Sequence, residues 1–158
     1  MRLRTVVSVA DVEMVTSLAE RCWRPHYTPI IGKAQVDYML ANFQSTRAIL
    51  GQIKKGRNYS LIEEESAIGY LAIDLSDHLF LSKLYILPDR QRCGIGRWSL
   101  EQLTQAQPEH EIHLTVNRHN YETIAFYERM GFFKSETVVT DIGNGFVMDD
   151  WKMIRPCA

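Results

Sequence analysis

Between Asp11 and Trp23 the apolar positions Met14, Val15, Leu18, Ala19 and Cys22 recur at helical spacing, and Asp11 is placed to cap the first free amides. The spacing predicts a helix that Pro25 and Pro29 interrupt, followed by a second amphipathic helix carrying Val36, Met39, Leu40 and Phe43. The two helices should pair as a hairpin. Three runs rich in β-branched and aromatic residues come next, at 58–62, 68–75 and 79–87, separated by the polar turns Glu63-Glu64-Glu65-Ser66 and Ser76-Asp77-His78. They predict an antiparallel meander. Pro88 stops the third strand, a glycine-containing turn follows, and 98–106 has helical character up to Pro108. A strand at 112–116 leads into a helix over about 121–130, which Gly131 can close in the left-handed cap position. Two final strands, 132–139 and 145–154, flank the turn-rich Ile142-Gly143-Asn144-Gly145. Without repeats or linkers, residues 1–158 predict one α/β domain, a mixed sheet with helices on its faces.

Composition narrows the class. A chain of 158 residues, 46% hydrophobic and 23% charged, suits one soluble domain, and no apolar run approaches the ~20 residues of a membrane-spanning helix. The opening Met1-Arg2-Leu3-Arg4-Thr5-Val6-Val7 is too short in its apolar part for a secretory signal, so a cytoplasmic protein is expected. A net charge of −1 argues against nucleic acid or an anionic membrane as partner. Cys22, Cys93 and Cys157 show no CxxC spacing and read as free thiols; neither they nor the five histidines form a metal-ligand pattern, so no metal is expected.

The most informative stretch runs from Leu81 to Arg97. A strand ends at Pro88, Gly94 and Gly96 lie in the following loop, and a helix begins at once. Glycines let backbone approach an anion closely, while free amides at a helix N-terminus favour negative charge. The pattern is neither GxxxxGK[ST] nor a full GxGxxG, so nucleotide-hydrolase and dinucleotide functions lose their main support. Arg90, Arg92 and Arg97 add positive charge suited to phosphate groups.

The segment Gln91-x-x-Gly94-x-Gly96 is similar to the Q/R-x-x-G-x-G/A pyrophosphate loop of the GCN5-related N-acetyltransferase (GNAT) family. Downstream, the stretch from Val116 to Phe132 resembles that family's second signature, with Asn120, Tyr127, Gly131 and Phe132 in register and Thr123 and Ala125 flanking the place of its usual small residue. The resemblance spans nearly the whole chain and implies a mixed, mostly antiparallel sheet with helices on both faces and a splay between the fourth and fifth strands. It implies acetyl-CoA as acetyl donor, with the backbone of Leu84, Tyr85 and Ile86 along the pantetheine arm. Gln91, Arg92, Cys93, Gly94, Ile95, Gly96 and Arg97 would hold the pyrophosphate. The Leu84 amide would donate to the thioester carbonyl, Asn120 would touch the pantetheine, and Tyr127 would protonate the departing thiolate. The acceptor implied is a primary amine, either a small molecule such as a polyamine or amino sugar or a protein amino group, and a homodimer stays open.

Alternatives stand beside these roles. Tyr127 shares a helical stripe with Thr123, Phe126 and Met130 and so also suits a core position; Asn120 also suits a helix cap, and Asn117 a turn. Candidates for taking the acceptor's proton are Glu63, Glu64, Glu65, Asp74, Asp141, Asp149 and Asp150, of which the last pair should border the acceptor cleft. The competing function is an acetyl-CoA-binding regulatory module without catalysis, which would have no use for an acid at Tyr127.

Overall fold

The computed structural model describes residues 1–157. It contains β1 (Arg2–Thr5), α1 (Val9–Ile31), α2 (Lys33–Phe43), α3 (Thr46–Lys54), β2 (Asn58–Glu63), β3 (Ala67–Leu75), β4 (Leu79–Ile86), a single 3-10 turn (Pro88–Arg90), α4 (Ile95–Ala106), β5 (Ile112–Asn117), α5 (Tyr121–Arg129), β6 (Phe133–Gly143) and β7 (Phe146–Arg155). The meander, the final hairpin and the left-handed Gly131 match the sequence prediction. No helix among the described residues is long and apolar enough to cross a membrane.

The first helix does not break at its prolines. It runs on to Gly32, whose positive φ of 83° ends it. Pro25 and Pro29, spaced i, i+4, both lie on the exposed side with Arg21. The carbonyls that lose a donor to these prolines therefore face water, where the loss is cheap, while Cys22 and Trp23 hold the opposite side in the core. The cap also differs from expectation. Ser8 is the N-cap and accepts from the Asp11 amide, while Asp11 reaches back to the amides of Val7 and Ser8. Two elements lay outside the periodicity argument: the short edge strand β1, and α3, whose N-cap Ser45 accepts from the Ala48 amide.

The seven strands form one sheet in the order β1-β2-β3-β4-β5-β7-β6, antiparallel throughout except between β4 and β5. That parallel pairing lasts for only Leu79 with Ile112 and Phe80 with His113. On its other side β4 carries a bulge, since Leu81 pairs with Ile73 and Lys83 with Ala72, leaving Ser82 as the extra residue. A bulge bends a strand and raises its twist, and past Ser82 β4 leaves β5. The expected splay is thus present.

Each sheet face has its own core. Helices α1, α2 and α3 bury Val15, Trp23, Val36 and Ile49 against Tyr59, Leu61 and Tyr70. On the opposite face α4 and α5 bury Leu100, Leu103, Ile124 and Tyr127 against Leu79, Leu81, Leu114 and Met153. The first core contains a continuous buried hydrogen-bond chain. Trp23 Nε1 donates to Tyr70 Oη at 3.1 Å, Tyr70 Oη to Gln44 Oε1 at 2.6 Å, Gln44 Nε2 to Tyr59 Oη at 3.2 Å and Tyr59 Oη to Gln52 Oε1 at 2.5 Å. This chain ties the three helices to β2 and β3.

Removing the central hydroxyl in Tyr70→Phe leaves the Gln44 carbonyl and the Trp23 N–H without partners, which costs about 1–3 kcal/mol. At roughly 2–4 °C per kcal/mol for a domain of this size, the melting temperature should fall by several degrees. Differential scanning calorimetry checks this; an unchanged melting temperature would show that the chain does not secure the helices.

Candidate active site

The gap between β4 and β5 can be read from the β3 ladder. Leu87 N–H donates to Ile68 O at 2.9 Å, so that pair is hydrogen-bonded. Pairs alternate in an antiparallel ladder, which makes Tyr70 with Tyr85 hydrogen-bonded, and Gly69 with Ile86 and Leu71 with Leu84 not. The backbone groups of Leu84 and Ile86 therefore point away from β3 into the gap. The Ile86 carbonyl accepts from Gln91 Nε2 at 3.1 Å. Of the three residues expected to present their backbone to the gap, Leu84 and Ile86 do so. Tyr85 instead spends its backbone on β3 and sends its hydroxyl to Tyr27 Oη at 2.9 Å.

The loop closes one end of this gap. Gly94 turns the chain at φ 79°, and α4 starts at once with Ile95, three residues earlier than its periodicity predicts, because the Ile95 side chain is buried and anchors the first turn. The first intrahelical bond runs from the Trp98 N–H to Gly94 O at 2.9 Å. The amides of Ile95, Gly96 and Arg97 thus lack acceptors among the described residues, as at any uncapped helix start. The two glycines divide the work. A Cβ on Gly96 would lie 3.0 Å from Phe126 Cζ, so this residue lets α4 pack on α5, whereas nothing stands within 4 Å of a Cβ on Gly94, which leaves space beside the amides. Arg90 pairs with Glu64, Arg92 with Glu122 at 2.8 Å and Arg97 with Glu101 at 3.0 Å. Cys93 is exposed and its thiol donates to Gln91 O at 3.4 Å. Free amides, an open glycine and bordering guanidinium groups fit a pyrophosphate.

Between loop and splay lies a cavity of about 530 Å³, bordered by Leu84 and Ile86 on β4, Thr115 on β5, and Asn120 and Tyr127 on α5. Asn120 occupies the N-cap position of α5, yet its side chain makes no capping bond; it is buried and lines the cavity. Asn117 takes the turn role, accepting from the His119 amide at 2.9 Å. Tyr127 is packed as a core aromatic and also borders the cavity. Its ring packs against Phe126 and Phe132 with centroids 5.2 Å away in each case, while its hydroxyl has no hydrogen-bond partner among the described residues. Burial pushes this phenol above its ordinary ionisation range, with a smaller contribution from Tyr27, so it remains protonated at neutral pH.

Sequence reasoning named no site residue on α1. His26 and Tyr27 also line the cavity, on the stretch where Pro25 and Pro29 had suggested a break. Burial lowers the His26 pKa and raises that of Tyr27 to about 12. The signal was available in the i, i+4 pairs Cys22 with His26 and Trp23 with Tyr27, which carry the inner side of the helix past Pro25. No group of residues that could hold a metal ion occurs among the described residues.

A family model described as "Acetyltransferase (GNAT) family" matches residues 13–132. The chain is 28% identical over 85 residues to the peptidyl-lysine N-acetyltransferase YjaB of Escherichia coli, a match covering 53% of this chain and 54% of that protein, about half the length of each. Among solved structures, the PaiA N-acetyltransferase of Thermoplasma acidophilum in complex with coenzyme A superimposes with a TM-score of 0.75 at 20% identity, over 99% of both chains. The ribosomal-protein-S18-alanine N-acetyltransferase of Escherichia coli does so with 0.73 at 17% identity, over 99% of this chain and 94% of its own. At these identities the likeness is one of fold.

A buried phenol should not ionise with the solvent-exposed ones. In an ultraviolet titration, Tyr127→Phe should leave the phenolate absorbance that develops up to about pH 11 unchanged, since an ordinary tyrosine ionises near 10. A reduced absorbance step in that range would place the hydroxyl in water.

Proposed function

The chain belongs to the acetyltransferase (GNAT) family, and on that premise we propose that it binds acetyl-CoA along the gap between β4 and β5 and transfers the acetyl group to a primary amine. The observation that carries this reading is the meeting, in one cavity, of an unpaired strand edge, a free helix N-terminus and an unpartnered protonated tyrosine. Acetyl-CoA supplies a thioester-activated acetyl group whose thiol departs on transfer. The amides from Gln91 through Gly96, with Arg97, hold the pyrophosphate. The backbone of Leu84 and Ile86 takes the place of a paired strand for the pantetheine amides, with Asn120 reaching the same arm. The Leu84 amide donates to the thioester carbonyl, where negative charge develops. Tyr127 gives its proton to the leaving sulfur.

The alternative, a module that senses acetyl-CoA without catalysis, is disfavoured by Tyr127: a binding pocket does not need an unpaired hydroxyl in its wall. The acceptor is a small amine or a protein amino group. The name of the curated relative makes a lysine side chain one acceptor to test first.

Release of free thiol from acetyl-CoA, screened over polyamines, amino sugars and lysine-containing peptides, tests the reading directly. Absence of turnover with every acceptor, in a protein that binds acetyl-CoA, would favour the sensor. In Gly94→Val a β-branched side chain at positive φ projects into the open space beside the amides, so acetyl-CoA affinity should be lost while circular dichroism stays native. Unaltered affinity by calorimetry would move the pyrophosphate elsewhere. In Tyr127→Phe the ring remains and the proton donor goes. Turnover should drop about 10²-fold, the lower end of the range for a positioned acid because a thiol is an undemanding leaving group, with little change in acetyl-CoA affinity. Wild-type turnover in that variant would return Tyr127 to a purely structural role.

A further inference from the structure

An ammonium group must lose a proton before its nitrogen can attack, at a cost of roughly 4–5 kcal/mol at neutral pH for an amine of lysine type. The structure distinguishes sharply among the carboxylates that could accept it. Glu63 is held by Arg2 and Arg4, Asp74 by Arg57, and Glu64 by Arg90. Asp141 accepts the Gly143 amide, Asp149 lies 3.4 Å from Arg118, and Glu65 is exposed on a turn. Glu63 and Asp150 are the buried members of this set, at 7% and 6% exposure, and of the two only Asp150 has neither a cation nor a hydrogen-bond donor on its carboxylate among the described residues. A carboxylate this withdrawn from solvent and without a protein partner is stabilised by any cation that pairs with it.

Its position supplies the direction. On β7 Asp150 faces Asn117 of β5, and Lys152 faces Thr115. Cross-strand partners share a face, so these four residues lie on the side opposite the buried Leu114 and Val116, which pack under α4 and α5. Thr115 is exposed although its strand is interior to the sheet, so no helix covers β5 at this point, and Thr115 borders the cavity. One side of the opening is α1, where Tyr27 feels the charge of Asp150 and hydrogen-bonds Tyr85 at 2.9 Å. The other is the final hairpin, fastened to α2 by Tyr38 Oη donating to Ile142 O at 2.5 Å and Gln35 Nε2 donating to Val147 O at 2.8 Å.

Building on the acetyltransferase reading, we propose that Asp150 receives the ammonium group of a cationic acceptor on the open face of β5 and β7 and takes its first proton. That proton passes from Asp150 to solvent. The freed nitrogen lone pair forms the N–C bond as the C–S bond breaks, the sulfur takes the Tyr127 proton, and the second nitrogen proton restores the phenol. One proton is released in all. Burial and the adjacent Asp149 hold the Asp150 carboxyl at about 6, high enough to accept a proton and low enough to be ionised at neutral pH. Other charged and titratable groups on the elements around it include Tyr27 and His26 from α1, Tyr85 of β4, Arg118 after β5, Lys152 farther along β7, and Glu136 of β6, whose carboxylate lies 3.9 Å from Lys152.

The test uses the full chain loaded with acetyl-CoA, its aspartates labelled at the carboxyl carbon, and n-butylamine as probe. Without amine Asp150 should titrate near pH 6; saturating n-butylammonium should move its midpoint toward acid by about 1 pH unit or more, as an adjacent opposite charge does. With any acceptor that turns over, kcat/KM should fall on an acid limb near that same pH. Asp150→Asn should abolish the limb and lower kcat/KM by about 10²- to 10⁴-fold, while Asp149→Asn should move the limb toward acid. A midpoint indifferent to n-butylamine, or an acid limb that survives Asp150→Asn, overturns the assignment of Asp150 and leaves the enzyme reading standing, provided calorimetry shows acetyl-CoA still bound. Failure of the unmodified chain to bind acetyl-CoA overturns both.

Discussion

Strand β4 cannot serve two neighbours at once, and the rest of the site follows from that constraint. It keeps its ladder with β3 along its whole length and loses β5 after two residue pairs, with the Ser82 bulge marking the divergence. Backbone polar groups inside a sheet are expensive to leave without partners. The exposed edge at Leu84 and Ile86 is thus an unmet demand built into the fold, and only a molecule with its own donors and acceptors, laid out like a strand, answers it fully. The Gln91 side chain meets part of that demand at Ile86, which ties the strand edge to the loop that follows it.

Such a gap would collapse if one apolar core had to span it. Here the helices of the two faces are independently packed, α1 to α3 on one side and α4 with α5 on the other. The first group is further secured by the chain from Trp23 through Tyr70, Gln44 and Tyr59 to Gln52, in which each buried polar group satisfies the next. A rigid support on one side lets Tyr27 and Tyr85 stand across the opening at a fixed separation.

What could be read from sequence was local. Gly94 and Gly131 suit positive φ, the Asn144-Gly145 pair announces a hairpin, and the register of Asn120 and Tyr127 relative to Gly131 places them at the start and on the body of one helix, so these local features were legible before any coordinates. The structure then divided roles that sequence had grouped, with Gly96 serving helix packing and Tyr85 turning its backbone to β3. What distinguishes Asp150 from the other candidate carboxylates was not legible, for a physical reason. The isolation of Asp150 depends on Arg2, Arg4, Arg57, Arg90 and Arg118 each engaging some other carboxylate, and those pairings are set by tertiary contacts over long separations. Likewise α1 continues through two prolines only because packing of its inner side outweighs bonds lost on its wet side, a balance that propensity alone cannot weigh.

The loop arginines have a consequence of their own. Arg90, Arg92 and Arg97 each begin with a glutamate partner, so the mouth of the site is electrically quiet although it is rich in cations. An anion that docks there has to trade places with those glutamates, and a guanidinium group that changes partners contributes only the difference between the two. A lone phosphate or a chance stretch of polyanion gains little from such an exchange. A diphosphate bound as proposed would engage the helix amides as well, which would make the loop a discriminating receptor rather than an indiscriminate one.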